Sequence, residues 1–375
     1  MRKQTQEGNR SAVYERATMR FMWMYTKLDS AEHSQRIRSL RKSSAKRECT
    51  QGSEDALWQE VIAVSRPKPD EPELDFNLLD QRIMERAGWR HPDDYPERLY
   101  HYTSSAAFLN IITSDELWFS DFRYLNDLSE LRYGVDIFKA EVQRRRIQET
   151  SAMPSVMLLK LEEQFDAALI YTDVFVFCMC EENNLLNQWR VYGRDTVPIS
   201  IELATRGFMF EEWEPYRFEI VPMVYDRQLQ EKIAREAVSV AIEFSNEHKN
   251  SILRDADSIQ SFVEMVVSIS VDWCISMKDP QFAVEKEWRL ATRWGLEHRI
   301  LTGRSFRSSP SGIVPYLKMR KKLEEPIAAT TLPIRSVTIG PCNQPEIQQR
   351  TIRELLYQRE RADAEIHISS LPIRV

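Results

Sequence analysis

LYHYTSSAAFLNIITSDELWFSDFRYLND, residues Leu99 to Asp127, reads as a strand, a capped helix and a second strand in quick succession. Leu99 to Tyr102 has the apolar and aromatic make-up of a strand. Thr103 is placed to N-cap a helix through Ile112, with Phe108, Ile111 and Ile112 on one face. Leu117 to Ser120 forms the second strand. His101, one of only six histidines in the chain, falls at the end of the first strand.

The pattern continues on the C-terminal side. The loop FRYLNDLSE leads to a helix carrying Leu131, Val135, Phe138 and Val142, and another helix covers about 156–170. Val174 to Cys180 (VFVFCMC) is a nearly continuous apolar run of strand length, as expected of a strand buried on both faces. A short helix is expected over Asn183 to Val191, and strands over Ile199–Leu203 and Phe218–Tyr225. Two helices fill about 226–247 and 256–277. Strands follow at Val284–Thr292, Ile313–Leu317, Val337–Ile339 and Ile366–Ile368, with a helix at Glu346–Arg359 before the last. The reading is one α+β domain over 76–375, around a mixed or antiparallel sheet flanked by helices.

Residues 1–75 differ from the rest. His33 to Arg47 is a basic, serine-rich run, and SRPKPDEPELDF reads as an extended linker. This part is expected to be a poorly ordered or loosely packed N-terminal extension. A basic arm that meets nucleic acid is the alternative to a solvated tail.

Composition bounds the function classes. The net charge of −6 argues against an overall electrostatic grip on nucleic acid, although not against a local basic groove. No uninterrupted apolar run nears the roughly 18 residues of a bilayer span. Met265 to Ile275 is interrupted by Ser268, Ser270 and Asp272, and MRKQTQEGNR lacks the apolar core of a signal peptide. Five cysteines make no disulfide framework, so a reduced, cytoplasmic protein without a membrane partner is expected.

Motifs for a P-loop, a dinucleotide fingerprint, a zinc protease or a serine hydrolase are absent. Cys178 and Cys180 form CxC without a second ligand pair, so two small core residues are expected rather than a metal site. Three places remain. His101 is either a ligand contact or a residue hydrogen-bonded at a strand end. Trp189 and Tyr192 in WRVYG are core packing by default. Glu285 and Glu287 in EKEWR would share one strand face. There they act as paired acids in a cleft or form exposed ion pairs with Arg289 or Lys286.

From Leu99 to the C-terminus the chain resembles a bacterial family catalogued as domain of unknown function 2971. The resemblance runs through LYHYTSSAAFLNII, LWFSDFRYLNDLSEL, FCMCEENNLLNQWRVYG, EKEWRL, GIVPYL, SVTIGP and HISSLPIR. Cys180 departs from it where serine is expected. That family in turn resembles the ADP-ribosyltransferase fold in its branch with a His-Tyr-Glu triad. The resemblance implies His101, Tyr192 and Glu287 as catalytic residues. It also implies NAD contacts from His101, Tyr102, Thr103, Tyr192, Arg190 and Glu285.

A carboxylate such as Glu287 would hold the ribose 2′-OH and stabilise an oxocarbenium-like sugar. Tyr192 would stack on nicotinamide, and His101 would orient the ribose or carboxamide. Arg190, Arg194 or Arg123 would face the pyrophosphate. Asn126, Asp127 and Glu130 are expected to cap the following helix, with pocket lining as the alternative. Gly340-Pro341 reads as a turn.

The expectation is an enzyme that cleaves NAD as substrate, without a metal. It would transfer ADP-ribose to a protein or nucleic acid, or hydrolyse NAD. Bacterial relatives of the fold suggest toxin or phage-defence biology. The alternatives are a non-catalytic nucleotide or nucleic-acid binding module on the same fold, and, less favoured, a metal-dependent phosphoesterase.

Overall fold

The computed structural model describes residues 76–90, 95–125, 130–171, 173–193, 196–209, 213–214, 218–252, 255–294, 303–309, 312–321 and 332–371. Residues 1–75, where the extension was expected, lie outside them, as do Asn126, Asp127 and Arg194.

Two compact units form where the sequence led us to expect one domain. The described part of the first unit is all helix. It comprises α1 (Phe76–Ala87) and stretches of α3 (Glu130–Gln148), α4 (Ala152–Tyr171), α7 (Arg227–Glu247) and α9 (Ala256–Ser276). Its apolar stripes recur at helical spacing, burying Leu79, Ile83, Phe244, Phe262 and Val263. Phe244 stacks on Phe262 at 6.0 Å, and Arg82 lies over the Phe244 ring. Arg82 and Arg86 pair with Glu247 and Glu243 along the rim. This unit draws on three separated stretches of chain, so no shift in composition announces it.

Residues Asp257–Ser276 of α9 are apolar enough, over 20 residues, to cross a membrane, yet 61% of that window is buried. Ile259, Phe262, Val266, Val271 and Cys274 are all interior, which accounts for the apolarity.

The second unit carries a mostly antiparallel open sheet. Strands β1 (Arg98–Ser104), β4 (Pro198–Ala204), β10 (Ile334–Ile339) and β11 (Glu365–Ile368) form one half in the order β11-β10-β4-β1. Only β10 and β11 run parallel there, joined through α10 (Pro345–Gln358). The other half contains β2 (Leu117–Asp121), β3 (Asp173–Cys180), β6 (Glu219–Pro222), β7 (Glu287–Trp294), β8 (Arg304–Ser309) and β9 (Gly312–Lys321). The two-residue β5 (Trp213–Glu214) pairs with β9.

Strand β3 is central and buried along almost its whole length, as its composition predicts. Phe175, Phe177 and Met179 enter a core with Leu99, Phe119, Ile201, Leu290, Leu317 and Val337. Strand β1 runs two residues further than the sequence suggests. Thr103 stays in the ladder opposite Ile199, and Ser104 caps α2 (Ser105–Ser114) by accepting from the Ala107 N–H. A β-branched residue suits the ladder, and serine reaches the cap equally well.

Two further expectations are corrected. Glu285 ends a 3₁₀ turn (Pro280–Glu285), and Lys286 takes a left-handed conformation at φ 44°. The strand therefore starts only at Glu287, and Glu285 and Glu287 share no strand face. Strand β8, whose sequence RSFRSS lacks an apolar alternation, was not foreseen. Gly340 is more than a turn residue. A Cβ there would lie 2.7 Å from the Trp189 ring and 2.6 Å from Pro198 Cγ, so the ring packs against bare backbone.

Candidate functional site

The sheet forks at β3. One edge of β3 is occupied along its length by β7, from Asp173 opposite Trp294 to Cys180 opposite Glu287. The other edge is divided. Strand β2 pairs with it at Phe175 and Val176, and β1 meets it only where Tyr100 faces Cys180. Between those rungs no strand among the described residues pairs with the edge, and there the Cys178 carbonyl accepts a hydrogen bond from His101 Nδ1 at 2.8 Å. The imidazole lies 4.0 Å from the Phe177 ring, nearly parallel to it.

That geometry settles the state of His101. A carbonyl only accepts, so Nδ1 carries the proton and Nε2 of the neutral ring offers a lone pair. Burial, reinforced by the charge of Arg307 and opposed by the carbonyl bond, lowers the pKa to about 4. His101 therefore presents an acceptor at neutral pH, not an acid. Its imidazole is expected to titrate near pH 4 in the NMR spectrum of the folded protein. The unfolded chain binds the proton from about pH 6.5 downward, so stability falls as pH drops from 6.5 to 4, by roughly 2–3 kcal/mol from this group. A midpoint near 6.5 would show that the ring is not held in the fork.

Glu287 lies on the opposite sheet face from the His101 ring, in register with Cys180 and Tyr100. It belongs to a buried cluster of five charges. Glu287 Oε1 accepts from Arg289 Nε at 2.6 Å, and Oε2 from Lys278 Nζ at 2.5 Å. Lys278 also meets Glu285 at 2.6 Å and Glu130 at 3.2 Å, while Arg289 Nη2 binds Glu130 and Nη1 the Ile275 carbonyl. The cations lie over aromatic rings, Arg289 on Phe122 and Lys278 on Phe282. The Tyr225 hydroxyl accepts from the Glu287 N–H at 2.9 Å.

Three carboxylates thus face two cations. Burial pushes the Glu287 carboxyl up, but Arg289 and Lys278 outweigh it and hold the group well below the usual carboxylate range. Burial dominates at Glu285, whose pKa is raised against the pull of Lys278. The expectation of exposed ion pairs is corrected in part. Arg289 is the partner of Glu287, but the pair is buried, and Lys286 bonds Glu182 instead. Glu130 lines this cluster as the first residue of α3. Lys278, in the turn after α9, was missed altogether. Its one legible signal is a lysine set directly after a long apolar helix.

Tyr192 ends α5 (Leu186–Tyr192) and packs with Tyr100, Tyr102, Cys180 and Trp189, on the sheet face that bears Glu287. Burial, then the nearby Cys178, Cys180, Glu287 and Glu285, raise its pKa, so its hydroxyl keeps its proton. The loop before α5 is tied down by polar side chains. Tyr102 donates to the Glu182 carbonyl and accepts from the Leu185 N–H, both at 2.9 Å. Asn184 accepts from Trp189 Nε1, and Asn183 donates to Thr338. Trp189 is core, as the default reading held. The Tyr102 hydroxyl is committed to positioning this loop, and Thr103 is buried.

His101 and Glu287 therefore flank Cys178–Cys180 from opposite faces of the sheet, and Tyr192 packs on the Glu287 side. Two inter-strand steps of about 4.8 Å separate the Glu287 and Tyr100 backbones, or roughly 10 Å. Tyr192 and Glu287 share a face, while His101 enters from the gap. Of the proposed pyrophosphate partners, Arg190 is exposed on α5, and Arg123 clamps Asp121 and Asp173 at 2.6 and 2.8 Å. Arg123 is therefore a structural residue. Arg307 on β8, absent from the sequence reading, donates to Ser120 at 2.8 Å.

No curated protein and no solved structure matches the chain. The chain is similar, over residues 188–290, to the family described as Protein of unknown function (DUF2971), a stretch that contains Tyr192, Lys278, Glu285, Glu287 and Arg289 but not His101.

Proposed function

We propose that the second unit binds NAD at the fork and cleaves the bond between nicotinamide and ribose. The observation that carries this reading is that Tyr192 and an ionised, buried Glu287 share one sheet face beside Cys180, with His101 held in the adjoining gap by the Cys178 carbonyl. Nicotinamide leaves with the electron pair of the N-glycosidic bond, and positive charge builds on ribose C1′ and its ring oxygen. The Glu287 carboxylate is suited to bind the 2′-OH and to stabilise that charge. Tyr192 offers a ring for the nicotinamide face. Nε2 of His101 accepts a ribose hydroxyl and orients the sugar without moving a proton. Water or a macromolecular nucleophile then attacks C1′ and gives up its proton.

The test is nicotinamide release from NAD by the purified chain, alone and with cell extract supplying an acceptor. Release above the uncatalysed rate is expected.

A second reading has its own observation, namely that both Glu287 oxygens already bond cations. In a non-catalytic nucleotide-binding module the cluster would serve only to hold β7 in place. Saturable binding of NAD with no release under either condition would favour that module and end the enzymatic reading.

A further inference from the structure

Among the described residues, Arg307 lacks the carboxylate partner that Arg123, Arg289 and Arg304 have. Its Nη2 donates to Ser120 Oγ, and its Nε is buried without a hydrogen-bond partner among the described residues. Burial lowers its basicity, opposed only by the hydroxyls of Tyr192 and Tyr316. The side chain is half-buried, but its Nε–H is enclosed, and a buried N–H is costly to keep unless something accepts from it.

Register places this group on the face that bears Glu287. Arg307 sits opposite Val314, two residues from Tyr316, and Tyr316 is opposite Ser120. Ser120 is opposite Val176, which shares its face with Cys178 and Cys180, and Cys180 is opposite Glu287. A second orphan donor lies on the same face. Trp118 stacks on Tyr316 at 4.6 Å, and its indole N–H is buried with no partner among the described residues. Two buried donors without acceptors, a serine hydroxyl and no carboxylate make a place for an oxyanion.

We propose that Arg307, with Ser120 and Trp118 beside it, forms an anion subsite that takes a phosphate group of a nucleotide bound at the fork. That the phosphate belongs to the NAD diphosphate rests on the function proposed above; the anion subsite does not. Arg307 is planar and can donate through Nε and Nη together, which a phosphate accepts as a pair.

Calorimetric titration with inorganic pyrophosphate and with ADP-ribose tests the subsite, in the wild type, Arg307→Gln and Arg307→Lys. Arg307→Gln is expected to weaken both probes by about 10–100-fold, the loss of a charge-assisted pair of hydrogen bonds. Its unfolding midpoint should hold, because Arg307 anchors no ion pair. Should the midpoint fall, Arg307→Lys carries the test, with an expected weakening of about 3–10-fold as charge remains and the paired geometry goes. Equal affinities in wild type and variants, or no binding of either probe by the wild type, would overturn the subsite. The two proposals fail separately. Pyrophosphate binding that depends on Arg307 without nicotinamide release leaves the subsite standing and removes the enzyme. Nicotinamide release with an unchanged KM for NAD in Arg307→Gln does the reverse.

Discussion

Exchange of Arg289 for leucine is expected to lower the free energy of unfolding by about 3–5 kcal/mol at pH 7, the cost of leaving buried charge uncompensated. The guanidinium is fully buried and binds Glu287, Glu130 and the Ile275 carbonyl at once. Without it, three carboxylates are left with Lys278 alone. The pH dependence then changes sign. In the wild type the depressed pKa of Glu287 adds stability above about pH 4.5, and that contribution is lost as pH falls through the lower folded value. In the variant burial dominates, the folded pKa rises, and acidification relieves the strain. The gap between wild type and Arg289→Leu should therefore narrow from pH 7 to pH 5 in denaturant titrations. A loss below about 1 kcal/mol at pH 7, constant with pH, would show that the cluster is not charged as drawn.

Glu287→Gln should act on chemistry as well as on folding, and the two effects are measured separately. Glutamine has the same shape and keeps an oxygen to accept from Arg289 Nε. The cluster passes from three carboxylates against two cations to two against two. The amide NH2, however, meets the Lys278 ammonium donor to donor and the ion-pair contribution is lost, so stability should fall by about 2–3 kcal/mol. Nicotinamide release is expected to fall about 100- to 1,000-fold, the scale of removing one preorganised electrostatic contact to a charge that develops in the transition state. The loss belongs in kcat with KM for NAD little changed, since the charge on ribose is absent in the ground state. A folded Glu287→Gln protein that releases nicotinamide at the wild-type rate would sink the role given to this carboxylate.

What could be seen beforehand follows from how each residue earns its place. VFVFCMC is legible as a central strand because burial on both faces removes polar alternation. The helices carrying Phe108 and Val135 are legible because one apolar stripe fits one period. The strand that holds His101, the short helix that holds Tyr192 and the strand that holds Glu287 were legible as elements, while their roles as site residues come from the resemblance alone. The polar parts were not. Strand β8 is held by its ladder to β9, which its own composition does not encode, so Arg307 went unseen with it. Glu285 was placed on the strand because a left-handed Lys286 leaves no mark in sequence. Lys278 meets Glu287 and Glu130 only through tertiary packing, and a pattern within one segment cannot report partners from several.

The fork has a mechanical side. The β1–β4 ladder has seven paired positions and the β3–β7 ladder eight, whereas β1 and β3 share one, supplemented by the His101 ring. The two halves of the sheet are thus sewn together by a single stitch and a side-chain button. Parting them along that seam leaves both ladders whole, and what holds the halves together is chiefly the apolar core they share, Phe177 and Met179 against Leu99 and Ile201. A molecule that donates to His101 and rests on Tyr192 would close that seam behind it.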